Sequence, residues 1–169
     1  MGHYAYVGED YVVKEVIVST YPVIYNMYPE KINVVPGWFK TSYNTKRNVH
    51  YEEVYSANYE IVIQESSRQD KALRGNYAGI GYIYIPEEDI FVPPKPFDSW
   101  VLNADIAMWV APFPVPTQEI PEDTSGLFIT KNWYEPDQTY IAEIMNNEEY
   151  FYKWDKETEN WIRVDIDSL

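Results

Sequence analysis

Two histidines and a scatter of serines are the residues through which this chain could do acid–base or nucleophilic chemistry, and their spacing is the first thing to test. His50 sits in "NVHYEE" with Glu52 and Glu53 close by. An imidazole and two carboxylates are a ligand set that zinc accepts, but the spacing matches no established site, and His3 lies 47 residues away. His50 is therefore expected to be a polar surface histidine. Ser42, Ser99 and Ser125 lack the strained turn of a nucleophile elbow and have no histidine beside them in sequence. Carboxylates are so numerous, 27 in all, that a glycosidase-like pair has no discriminating value. Gly75, Gly79 and Gly81 in "RGNYAGIGY" precede a strand-like segment where a nucleotide loop needs a helix, so they are expected to serve a bulge, a bend or a close backbone approach. Cysteine is absent, which removes disulfides, thiolate metal sites and cysteine nucleophiles together. The expectation is a chain without catalytic residues, metal or cofactor.

Composition narrows the partners. The net charge is −14, with 14 acids and 9 bases in residues 1–117 and 13 acids and 4 bases in residues 118–169. Phosphate neutralisation needs Lys and Arg, so direct nucleic-acid contact is not expected, nor is binding to an anionic membrane surface. No stretch approaches the roughly 18 apolar residues of a membrane helix, and "MGHYAYVGED" lacks the basic start and apolar run of an export signal, so a soluble chain is expected.

The elements must be strands for the most part. Aromatics make up 17 % of the chain, with 17 Tyr and 6 Trp, and rings of this kind pack well on a pleated surface. Residues 3–19 alternate around Gly8, Glu9 and Asp10 as an opening hairpin. Pro22, Pro29 and Pro36 make residues 21–36 irregular, with room for one helical turn. "GWFKTSYNT" resumes strand character, and residues 51–74 are the place for a helix, which Ser66 or Ser67 could cap, or for a long polar excursion, since the apolar face of "ESSRQDKALR" is thin.

Three segments share a pattern: "YIYIPEEDIFV" from Tyr82, "WVLNADIAMWV" from Trp100 and "YKWDKETENWIRV" from Tyr152. In each, a ring is followed nine residues later by another, Phe91, Trp109 or Trp161, with Tyr84, Leu102 or Trp154 two places after the first. A polar loop of four residues between them predicts a hairpin with rings on one face. Eight of the twelve prolines fall between Pro86 and Pro121, which places stiff extended connections after the first two hairpins. Two more strands are expected near Leu127 to Trp133 and Thr139 to Met145, turning at "EPDQ". The fold class is thus mainly β: antiparallel hairpins with proline-rich extended connections and at most one or two short helices. Residues 1–117 form a main β domain with a proline-rich arm, and 118–169 a small acidic antiparallel lobe.

The segments "TSYNT", "VHY", "ALRGNYAGIGY", "PPKPFDSWVLN", "WVAPFPVP" and the closing "YKWD...T..W" resemble a family of small virion-associated or hypothetical proteins of tailed phages, chiefly of marine and cyanobacterial hosts. The closing hairpin also resembles the end segments of phage tail-fibre proteins. The resemblance covers much of residues 37–116 and 150–161. It implies a late phage protein located in the virion, and in the host cytoplasm during assembly, and it transfers no catalytic residue. The expected function is a non-enzymatic structural one, as a capsid decoration or a tail or fibre component. Its partners would be other phage structural proteins, including further copies of itself as a homo-oligomer. Stiff proline backbone and large rings suit such contacts, and the candidate contact residues are Trp38, Pro94, Pro96, Phe97, Phe113 and Trp133. Two other classes fit the composition: an acidic protein that binds and inhibits a host enzyme, and a glycan-binding fibre module.

Overall fold

The computed structural model describes residues 1–120 and 128–168. The fold is mainly β, as the ring-rich alternation predicts. Two compact units form: Met1–Pro96 with Leu102–Val110, and Phe97–Val101 with Ala111–Leu169.

In the first unit, β1 (Gly2–Val7) pairs antiparallel with β2 (Val13–Ser19). Their connection turns at Tyr11, whose φ of 61° is left-handed. The irregular stretch after β2 holds the α-helix α1 (Tyr21–Met27), which accepts Pro22 because the first helical turn needs no N–H donor there. α1 tucks Ile24 against Tyr4 and Trp38. β3 (Gly37–Thr41) adds to the other edge of β1, giving the order β2-β1-β3.

The expected helix at 51–74 is absent. β4 (Thr45–Lys46), β5 (Val49–Tyr55) and β6 (Ile61–Glu65) form a three-stranded sheet instead. Val54, Tyr55, Ile61, Val62 and Ile63 are strand formers flanking "SANYE", where Tyr59 takes φ 61° and closes the turn. Neither Ser66 nor Ser67 caps a helix: the chain makes only a 3₁₀ turn, at Gln69–Lys71, whose N-cap is Arg68 with no side-chain cap bond, and Ser66 accepts the Arg68 N–H at 3.1 Å as a local turn contact.

β7 (Ile83–Ile85) pairs with β8 (Ile90–Val92), and β9 (Val101–Asn103) with β10 (Met108–Val110). In the second unit β11 (Ile129–Tyr134), β12 (Thr139–Ile144), β13 (Tyr150–Asp155) and β14 (Asn160–Asp165) make a four-stranded meander. Leu127 and Ser125 lie outside the described residues.

Four of the hairpins share one loop design. Four residues separate these strand pairs, "PEED", "ADIA", "EPDQ" and "KETE", and the fourth is left-handed each time: Asp89 (φ 50°), Ala107 (48°), Gln138 (48°) and Glu159 (51°). Two of the strands end in an Asx turn, with Asn103 accepting the Asp105 N–H at 3.1 Å and Asp155 accepting the Glu157 N–H at 3.1 Å. This fixed loop corrects the ring arithmetic. The rings that face each other across it are seven apart, not nine: Tyr84 faces Phe91, Trp133 faces Tyr140 and Trp154 faces Trp161. Ring centroids lie 5.3, 5.1 and 5.3 Å apart, in tilted or edge-on geometry. The Trp133–Tyr140 pair is a further instance that a nine-residue search passes over. Trp100 packs with Phe97 at the second unit's core, while Trp109 joins Leu102 around Val92 and Ala107 in the first.

One buried residue ties the first unit together. Asn76, 6 % exposed, donates its amide to the carbonyls of Phe91 and Ala107, both at 2.8 Å, and accepts the Arg47 N–H at 2.8 Å. Beside it Gly75 holds φ 73°, and a methyl group there would stand 2.6 Å from the Ala107 Cβ. Gly75 therefore serves a close approach, and Gly81 (φ 87°) a left-handed turn. Arg74 completes the junction with an ion pair to Asp89 at 2.7 Å and a bond to the Lys40 carbonyl at 2.8 Å.

Candidate functional site

The rings that sequence reasoning offers as partner contacts divide by burial. Trp38 and Trp133 are 6 % and 8 % exposed and belong to the cores of the first and second unit, so they present no surface. Burial follows from register, because Trp38 lies opposite Tyr6 and Trp133 opposite Tyr140 on the packed face of their sheets. Phe113 and Phe97 are half-buried against the second core, Phe113 sitting 5.4 Å from both Trp133 and Tyr140. Pro94 and Pro96 are exposed.

The surface that is open lies on the sheet formed by β4, β5 and β6. Every residue of β6 is exposed, Ile61 by 59 %, Val62 by 43 % and Ile63 by 70 %. A strand normally covers one of its two faces; this one covers neither. Tyr55 and Tyr59 at its turn are 75 % and 88 % exposed. The cross-strand register places Tyr51, Tyr55, Ile61 and Ile63 on one side of the sheet. Tyr43 adds to that side, its hydroxyl donating to Glu53 at 3.2 Å, which holds the phenol above its usual range. A shallow groove of about 410 Å³ is lined by Tyr43, Tyr51, Glu53 and Ile63 together with Lys46 and Arg47.

β6 is also an edge in its hydrogen bonding. The Ser56 N–H donates to Glu60 at 2.8 Å and the Ser66 N–H to His50 at 2.9 Å, which fixes the phase of the ladder. Glu60, Val62 and Gln64 therefore direct their N–H and C=O groups at β5, while Ile61, Ile63 and Glu65 direct theirs outward. No charged side chain interrupts Ile61 to Gln64. Soluble proteins usually blunt such an edge with Lys, Pro or a bulge, and none is present within β6.

The chemistry candidates resolve differently. His50 is 7 % exposed, a correction to the surface histidine expected. The 3₁₀ turn explains the burial: Gln69 folds back to accept the His50 N–H at 2.8 Å and to donate to its carbonyl at 3.0 Å. Ser99 donates its N–H and its hydroxyl to the Glu135 carboxylate, at 2.8 and 2.6 Å, so the hydroxyl is committed to a structural bond. Among the described residues no group of three His, Asp or Glu side chains is placed to hold a metal ion. None of their helices is long and apolar enough to cross a membrane.

Sequence reasoning misses β6 because the polar run after it draws a helix across the segment. The signal is present in "EIVIQ", a β-branched run bounded by turn residues. No family model, no curated protein and no solved structure matches this chain.

Proposed function

We propose that this chain is a virion structural protein of a tailed phage that works by strand-to-strand contact between its own copies. The observation that carries the contact is β6, an apolar edge strand exposed on both faces with three residues directing hydrogen-bonding groups outward. The phage context rests on the resemblance of residues 37–116 and 150–161.

The occupant follows from symmetry and charge. A two-fold axis perpendicular to the sheet requires paired residues to share a face, so it must pass through a residue and not between two. With the axis at Val62, Ile61 of one copy faces Ile63 of the other, and both pairs exchange backbone hydrogen bonds. Val62 then faces its own counterpart, and Glu60 meets Gln64, so no like charges stand opposed. The six strands form one continuous sheet. Mutual repulsion of two chains of charge −14 opposes the approach, so association strengthens as salt is added.

The absence of native cysteine makes the test clean. Val62→Cys occupies a non-hydrogen-bonded pair, with Cα atoms about 4.5 Å apart, close enough for a disulfide. Mild oxidation should give a covalent dimer from Val62→Cys and none from a cysteine introduced at exposed Val18. No cross-link, or equal cross-linking at both positions, refutes the register. Mass spectrometry of purified particles should find the chain in stoichiometric amount; its absence there refutes the virion role.

A further inference from the structure

The two histidines, 47 residues apart in sequence, line one cavity of the first unit. Its volume is about 500 Å³, within the range of small-molecule sites. β1 brings His3, β3 brings Lys40, β5 brings His50, and the 3₁₀ turn at Gln69–Lys71 brings Asp70 and Lys71. Ser42, from the turn after β3, completes the polar lining.

Three features make this cavity unlike the rest of the surface. His50 is more than nine-tenths buried, and its Nδ1 has no hydrogen-bond partner, whereas buried polar atoms are almost always satisfied. The charge balance is inverted. Asp70 is engaged by Arg68 through two bonds of 2.8 and 2.9 Å, while Lys40 and Lys71 make no ion pair among the described residues. A chain with a net charge of −14 has thus kept two lysines and both its imidazoles around one opening. Finally, the lining is held in place. Gln69 brackets the His50 backbone from both sides, and the His3 Nδ1 meets the Tyr77 hydroxyl at 3.2 Å, which leaves the Nε2 of His3 for other partners.

We infer that this cavity binds a phosphate group, either as the free ion or carried by a small monoester. Two ammonium groups supply the charge that a dianion needs, and the Nε2 of His3 supplies a directional donor. The volume exceeds that of one phosphate, and Tyr43 and Leu73 line the same space, which leaves room for an organic remainder. A cation is the weaker occupant, since no three-ligand group is present among the described residues.

The test uses the whole chain. With only two histidines, ¹⁵N-histidine labelling gives two imidazole spin systems that report the cavity directly. Inorganic phosphate and glycerol 3-phosphate are titrated separately at constant ionic strength against chloride, with acetate as a carboxylate control. Both phosphate arms should shift the His3 and His50 signals saturably, and the tighter arm tells free ion from monoester. The exposed double substitution Lys40→Gln with Lys71→Gln, which should leave the backbone spectrum elsewhere unchanged, should weaken binding by about tenfold or more. Linear shifts equal to those in chloride, tighter saturation by acetate, or a response unchanged in the double variant would each overturn the assignment.

Discussion

Replacing Asn76 with alanine should destabilise the first unit more than any other single polar truncation within it. The substitution removes two donors and one acceptor and leaves three groups without partners: the carbonyls of Phe91 and Ala107 and the N–H of Arg47. Each unsatisfied buried group costs about 1–3 kcal/mol, but groups in one network do not add fully, so about 3 kcal/mol is expected in total. For a chain of this size that corresponds to a fall in melting temperature of about 6–12 °C. Asn76→Asp should be at least as damaging, because it sets a carboxylate oxygen against two carbonyl oxygens in a buried position. Urea unfolding monitored by far-ultraviolet circular dichroism would read both variants. A loss below about 1 kcal/mol for Asn76→Ala would show that these bonds are replaced by water and would refute the junction as described.

The hairpins make further outcomes measurable. Tyr84 donates to Asp89 at 2.7 Å, and burial first, then that bond, pushes its phenol from 10.0 up to about 12. A phenol raised on folding stabilises the protein fully below its unfolded value, so the stability difference between wild type and Tyr84→Phe should hold below pH 10 and fall between pH 10 and about 12. A difference that stays flat across that window contradicts the reasoning. In the second unit, Trp154→Ala should cost about 3–5 kcal/mol as a core truncation. A double-mutant cycle between Trp154 and Trp161 should show coupling of about 0.5–1.5 kcal/mol. The same cycle on Tyr152 and Trp161, nine apart, should show less, because Tyr152 stands opposite Arg163.

Most of the strands are legible in the sequence because rings and β-branched residues alternate, and the last four are legible even to their turns; β5 and β6 are not. The register within the hairpins is not. A nine-residue spacing and a seven-residue spacing are both present in "YKWDKETENW", and only the left-handed fourth loop residue decides between them. Non-glycine residues such as Asp89, Gln138 and Glu159 do not announce that conformation in sequence. The helix expected at residues 51–74 fails for a related reason: polar "ESSRQDKALR" outweighs the strand formers before it, although it folds as a turn that clamps His50. Ring type alone does not separate core from surface. Trp38 and Trp133 are core residues by their register, while the aliphatic edge at Ile61–Ile63, with no tryptophan in it, is the open surface.

Sedimentation velocity on the wild-type chain and on Ile63→Lys tests the proposed contact most directly. Ile63 is 70 % exposed, so a lysine there costs the isolated chain little and should leave its circular dichroism unchanged. It places two ammonium groups in the centre of the two-fold strand pair, each opposite an isoleucine of the other copy. Strand-to-strand contact at β6 predicts a concentration-dependent dimer for the wild type, strengthened by salt, and a monomer at every concentration for Ile63→Lys. A wild-type chain that stays monomeric at the highest concentration, or a lysine variant that dimerises equally well, would contradict it.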